Sequence, residues 1–247
     1  METDDDSGKD DESGAAGLLY QLNRARELRR VQVDSEGLDP AVARLRRWQS
    51  ERLERTHADL LADRRSRSAM EFFLDELYGP YDFSQRDQDI ERIYPIMIRV
   101  LPAAAVHTLT RALELNSLSH ELDQRLLEVL ENELGVRDEI TEETYAEAYR
   151  RCANPEERAR QIDLIDSLGR DLTAIVGRRR TGWLLRVARR PARAAGFGEL
   201  QSFLERGYDA FRRMPHPQEF LDKVVERERR IMENLFDAAE DPFDLPA

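Results

Sequence analysis

Cysteine is all but missing from this chain: Cys152 is the only one in 247 residues. That excludes an intrachain disulfide and a cysteine-based zinc cluster, and it fits a reducing compartment. With no motif around it, Cys152 reads as a small hydrophobe rather than a reactive thiol. Long apolar runs are missing too, since none continues for the roughly 18 positions that a membrane span needs. A cationic, apolar, small-residue start is not seen either, so no signal peptide is expected and the expected compartment is the cytoplasm. No segment sustains the apolar–polar alternation and β-branched enrichment of a strand, and no fixed-period repeat points to a solenoid. Gly196-Phe197-Gly198 lacks the third glycine and the preceding strand of a nucleotide-binding loop, so it reads as a helix–helix turn. A serine elbow, a recognisable Cys–His pair and a zinc-protease motif are absent, which disfavours ordinary hydrolytic and dinucleotide chemistry.

Charge, by contrast, is plentiful and unevenly spread. Charged residues make up 36% of the chain and apolar ones 40%, with a net charge of −12. Met1 to Glu12 holds seven acids against Lys9 and so contributes −6 by itself. Such a run cannot bury enough apolar surface to offset its ordering entropy. The chain therefore divides into a disordered acidic tail (1–16), a weakly helical leader (17–38) and one helical-bundle domain (39–237). A disordered C-terminal tail (238–247) follows.

Caps and periodicity trace the bundle. The leader has Leu19, Leu22 and Leu28 on one side. Asp39-Pro40 suits a helix start, with Asp accepting from free amides and Pro filling a position whose N–H has no partner. That helix is expected to run to about Arg65, with Val42, Leu45, Trp48, Leu53, Leu60 and Leu61 apolar and His57 on the buried sector. Ser68 to Tyr78 places Met70, Phe73, Leu74, Leu77 and Tyr78 at helical spacing, leaving Glu71 and Asp75 to water. A Ser84–Val100 helix is interrupted by Pro95. Pro102 opens the longest helix, to about Asn132. Its polar strip is His107, Thr110, Glu114, Ser117, Glu121, Gln124 and Glu128, and its wide apolar arc implies a central position. Thr141 starts a short helix to Cys152, and Asn154-Pro155-Glu156-Glu157 reads as a capping box. The next helix carries Ile162, Ile165, Leu168, Leu172 and Ile175 and ends at Gly177. Helices over 182–195, 198–214 and 217–236 complete a single all-α bundle of about seven or eight helices.

Phe72-Phe73-Leu74-Asp75-Glu76-Leu77-Tyr78-Gly79-Pro80 resembles the mark of a bacterial all-helical family that carries a Phe-Phe-Leu-acid-Glu-Leu-Tyr motif. Asp82 to Asp87, Tyr94-Pro95 and Leu101-Pro102 are similar to it as well. The likeness runs from about residue 40 to 236. It implies a helical domain and carries over no activity, cofactor or catalytic residue. Phe73 and Leu77 are read as core anchors.

Three constellations could carry function. In the longest helix, Asn116, His120 and Asp123 interrupt an apolar arc and need partners, for which Tyr78, Arg86 and Tyr94 are candidates. One reading is a satisfied network that sets helix register; the other is a small polar pocket with His120 as base or ligand. Next, histidines on apolar sectors invite a haem or iron hypothesis. Glu54-Arg55-Thr56-His57 is the only Glu-x-x-His pattern, where a di-iron site would be expected to show two, so Glu54, His57 and His120 are weak metal candidates and no cofactor is expected. Last, Arg178 to Arg193 holds seven arginines and no acid, with Trp183, Leu184, Leu185 and Val187 among them. Arg178, Arg179, Arg180, Trp183, Arg186, Arg189, Arg190 and Arg193 form a candidate contact surface for another macromolecule. An anionic membrane or a nucleic acid would suit its chemistry, though neither is the favoured partner. The favoured alternative docks Trp183, Leu184 and Val187 into the core. The leading expectation is a cytoplasmic, non-enzymatic helical domain that binds a macromolecular partner.

Overall fold

The computed structural model describes residues 17–24, 27, 33–34, 37–75, 89, 92–93, 103–178 and 180–245. The fold is all-α. Residues 17–24 are helical, and a two-residue antiparallel pairing, β1 (Val33–Asp34) with β2 (Gly37–Leu38), joins Val33 to Leu38 and Asp34 to Gly37. Among the described residues this two-stranded pairing is the only sheet. The helices then follow as α1 (Pro40–Thr56), α2 (Ala58–Ala62), α3 (Arg67–Phe73), α4 (Ala103–Glu128), α5 (Glu142–Arg151), α6 (Pro155–Val176), α7 (Thr181–Ala194), α8 (Gly198–Arg212) and α9 (Pro217–Phe236).

Local chemistry sets four of these starts, those of α1, α5, α6 and α9. The Asp39 carboxylate accepts from Ala41 N at 2.7 Å and Val42 N at 3.3 Å, and Pro40 occupies the first turn of α1. At α5 the Thr141 hydroxyl accepts from Thr144 N, and the Thr144 hydroxyl accepts from Thr141 N, satisfying two free amides reciprocally. Asn154 departs from expectation: α6 begins after it with Pro155 in the first turn, but its side chain makes no capping bond. The α1 helix also stops short of Arg65. His57 leaves helical geometry at φ −114° and ψ 27°, and a separate turn, α2, begins beyond it. No breaker residue stands there. The break coincides with the burial of the His57 ring against α9.

Helix α4 is central, as its wide apolar arc implies, packing against α1 on one side and α6 on the other. It ends in a π turn, Val129–Glu133, where Leu134 N bonds back to Val129 O at 3.0 Å. It shares the centre with α6, which lies between α4 and α9. The main core joins Val42 and Leu45 to Leu126, Val129 and Leu130, Tyr145 and Tyr149, Ile162, Ile231 and Leu235. A second cluster gathers Leu53, Leu60, Met70, Leu74, Phe220 and Val224. Over the expected Ser68–Tyr78 stretch, Met70 and Leu74 are buried, Phe73 is half-buried, and Glu71 and Asp75 face solvent. Phe72 packs on Phe203 and Phe211. Leu77, Tyr78 and the Ser84–Val100 helix, apart from Asp89, Arg92 and Ile93, lie outside the described residues.

Three faces differ from the sequence reading. In the leader, Leu18 and Leu22 are buried against Val106 and Leu113, while Leu19 is exposed. Arg24 pairs with Glu121 of α4, so this segment docks on the domain. On α6, Leu172 is exposed, whereas Arg158 and Leu164 are buried. In the stretch 238–245, expected to be disordered, Pro242 is buried and Phe243 and Leu245 pack on the core. Phe243 meets Trp48 edge-on at 5.8 Å, Trp48 stacks on Tyr145 at 3.9 Å, and Asn234 donates to Pro242 O.

The crossing of α6 and α9 depends on Gly169. A Cβ there would stand 2.6 Å from Leu221 Cδ2 and 3.0 Å from its Cγ, and would meet Cδ1 as well. Leu221 is buried and cannot swing away freely. Helix propensity alone favours alanine by about 1 kcal/mol, yet overpacking costs about 1–3 kcal/mol. Gly169→Ala is therefore expected to lower stability in urea unfolding. A gain would show that α6 and α9 are not pressed together at this point.

Candidate functional site

Helix α7 is built from a segment that caps poorly and pairs along one edge. Arg180, at its N-cap, makes no side-chain cap bond, while the Thr181 hydroxyl donates to Ile175 O at 2.8 Å. Along the packed edge Gln201 of α8 donates to Leu185 O at 2.8 Å, and Arg189 donates to both oxygens of Glu205. Gly182 lies against Tyr208. These bonds hold the helix without burying it, and none of its residues is buried.

The opposite face is apolar and open. Trp183 is 57% exposed, Leu184 57% and Val187 53%, so the expected docking of these three into the core does not occur. At about 100° per residue, Trp183, Val187, Pro191 and Leu184 fall within an arc of about 100°. Arg186, Arg190 and Arg193 line the edge beside Trp183, all exposed. Arg178 and Arg180 are exposed in the preceding turn, and Arg179 lies outside the described residues. Among the described residues Arg189 alone of this set forms an ion pair, and Glu205 becomes more acidic through that hydrogen bond. The nearest acid in the chain after Arg178 is Glu199.

The polar residues of α4 are tied to α1. Arg46 Nη2 donates to His120 Nδ1 at 3.3 Å, and Gln49 Nε2 donates to Asp123 Oδ1 at 2.9 Å. Partners thus come from α1; Tyr78, Arg86 and Tyr94 lie outside the described residues. Asn116 is half-buried and does not join the ties, and Ser117, placed by periodicity on the polar strip, is buried. Burial pushes the Asp123 carboxyl above its usual value, against the Gln49 hydrogen bond and the charges of Arg158 and Arg46. His57 takes part in a different tie. Its Nε2 donates to Glu228 Oε1 at 3.2 Å, and Arg52 Nη1 donates to both oxygens of the same carboxylate at 2.6 and 2.7 Å. Burial pushes Glu228 upward, but the Arg52 charge and the His57 hydrogen bond outweigh it and hold the carboxyl down at about 2. Glu54 is exposed. Among the described residues, no group of three or more His, Cys, Asp or Glu side chains is placed to hold a metal, and no helix is long and apolar enough to cross a membrane.

A family described as Domain of unknown function (DUF8198) matches residues 28–242. The chain belongs to DUF8198. Searches of the curated proteins and of the solved structures find no match. The DUF8198 match spans α1 to α9 and continues to residue 242, so α7 lies inside the family domain rather than on an appendage. Sequence reasoning missed the Arg52–His57–Glu228 tie because its members are 171 and 176 residues apart. The one available signal was a histidine on an apolar sector, which demands a polar partner without naming it.

Proposed function

We propose that this domain works by binding an anionic partner, without catalysis, and that α7 is its contact surface. The observation that carries the reading is a 14-residue helix with no buried residue and three large apolar side chains more than half exposed, in a segment free of acids. An apolar patch rimmed by charge marks interaction sites in soluble proteins. The reading assigns no cofactor and places the protein in the cytoplasm, which suits a single buried thiol. The α4 residues fit register ties, since His120 and Asp123 each engage α1. We take the Phe72–Tyr78 motif, shared with the helical family it resembles, as core-forming, in keeping with buried Leu74 and half-buried Phe73.

Heparin, a soluble polyanion, tests the electrostatic half of this reading. A chain of net charge −12 is repelled by heparin unless a local basic surface engages it. Wild-type protein is expected to be retained on immobilised heparin at low salt and released as salt rises. The R186Q/R190Q/R193Q variant should pass through with unchanged circular dichroism. Flow-through of the wild type at low salt would sink the reading.

A further inference from the structure

We infer that α7 lies in the plane of an anionic lipid membrane, its apolar arc in the acyl boundary and its arginines among the headgroups. This rests on the contact-surface reading and names the partner. The helix presents two kinds of chemistry side by side: Trp183, Leu184 and Val187 open to solvent, and Arg186, Arg190 and Arg193 along the adjoining edge. An occupant has to satisfy both. A nucleic acid matches the arginines but leaves the apolar arc in water. The acidic stretch Met1 to Glu12 likewise offers seven acids and no large apolar side chain other than Met1. A second copy docked by the same face sets arginines against arginines. An anionic bilayer answers both, because a basic amphipathic helix buries its apolar face about 5–10 Å into the headgroup–acyl boundary. Tryptophan also favours that boundary. Pro191 has no N–H to offer Val187 O, and at this depth headgroup water can satisfy that carbonyl.

The geometry assigns each group a part. Leu184 and Val187 supply insertion, and Trp183 sits where the arc meets the arginine edge. Arg189 takes no part, because Glu205 already holds it. The rest of the chain opposes the attachment, since the protein is acidic outside this segment. Removing Met1 to Glu12, which carries −6 of the −12, should therefore tighten binding.

The test uses the full chain and sedimented vesicles of phosphatidylglycerol with phosphatidylcholine, against phosphatidylcholine alone. Binding is expected on the anionic vesicles only, falling steeply with salt. Trp183 emission should shift to the blue, while Trp48, stacked on Tyr145, adds a constant background. Each of Arg186→Gln, Arg190→Gln and Arg193→Gln is expected to weaken binding about fivefold, the equivalent of about 1 kcal/mol per basic residue near a charged surface. Leu184→Gln and Val187→Gln, which remove the apolar group without adding charge, should each sharply weaken vesicle binding and keep heparin retention. Both positions are exposed, so circular dichroism should not change. Absence of wild-type binding to anionic vesicles at low salt overturns the inference, as does full binding by Leu184→Gln or Val187→Gln. Should heparin retention persist in that case, the contact-surface reading stands and the occupant is a nucleic acid or acidic protein; loss of both removes both readings.

Discussion

Glu228→Gln is expected to destabilise the protein by about 3–5 kcal/mol, the usual loss when one partner of a buried ion pair is removed. The Glu228 side chain is 15% exposed and that of Arg52 10%, so solvent cannot replace the missing charge. The loss also has a pH signature. With a folded value of about 2 against an ordinary 4.5, Glu228 contributes stability that is fully present above 4.5 and disappears as pH falls toward 2. Asp123 acts in the opposite sense, since its raised value makes the ionised form costly and acid relieves that cost. The wild-type acid limb therefore mixes two signs. The difference between wild type and Glu228→Gln isolates Glu228, and in urea unfolding it should be constant near neutrality and shrink below about pH 4.5. A loss under about 1 kcal/mol, or a difference independent of pH, would mean that Arg52 reaches water and the tie is not closed.

Leu126→Ala should produce a loss of similar size, about 2–5 kcal/mol. Leu126 is fully buried on α4, within the cluster that also holds Leu45 of α1, Tyr149 of α5, Ile162 of α6 and Ile231 of α9. A cavity opened there borders several helices, and each would have to shift to close it. Circular dichroism melting and urea unfolding should report the same drop, as two-state behaviour requires. A small loss would place the centre of the molecule elsewhere. Both substitutions lie on helices other than α7, and vesicle binding by the folded fraction should be unaffected.

Where each helix begins and ends was largely legible, because caps and breakers act within a few residues of themselves. Asp39 with Pro40, Thr141, and Pro155 and Pro217 in first turns all stand where local chemistry puts them. The central place of α4 was also legible, since an arc so wide needs neighbours on two sides. Facing was less so where apolar residues crowd together. Leu18 and Leu19 both suit a buried stripe, and only docking on Val106 and Leu113 selects Leu18. Partners of buried polar groups were illegible: spacing along α4 shows that His120 and Asp123 need them but cannot name Arg46 and Gln49, 74 residues earlier. The arginine helix marks the division most sharply. Its composition made it amphipathic, but whether Trp183, Leu184 and Val187 meet the core or water depends on which edge α8 grips. That edge was decided by Gln201 and Glu205 reaching Leu185 and Arg189 across the following turn, long-range geometry that no local period encodes.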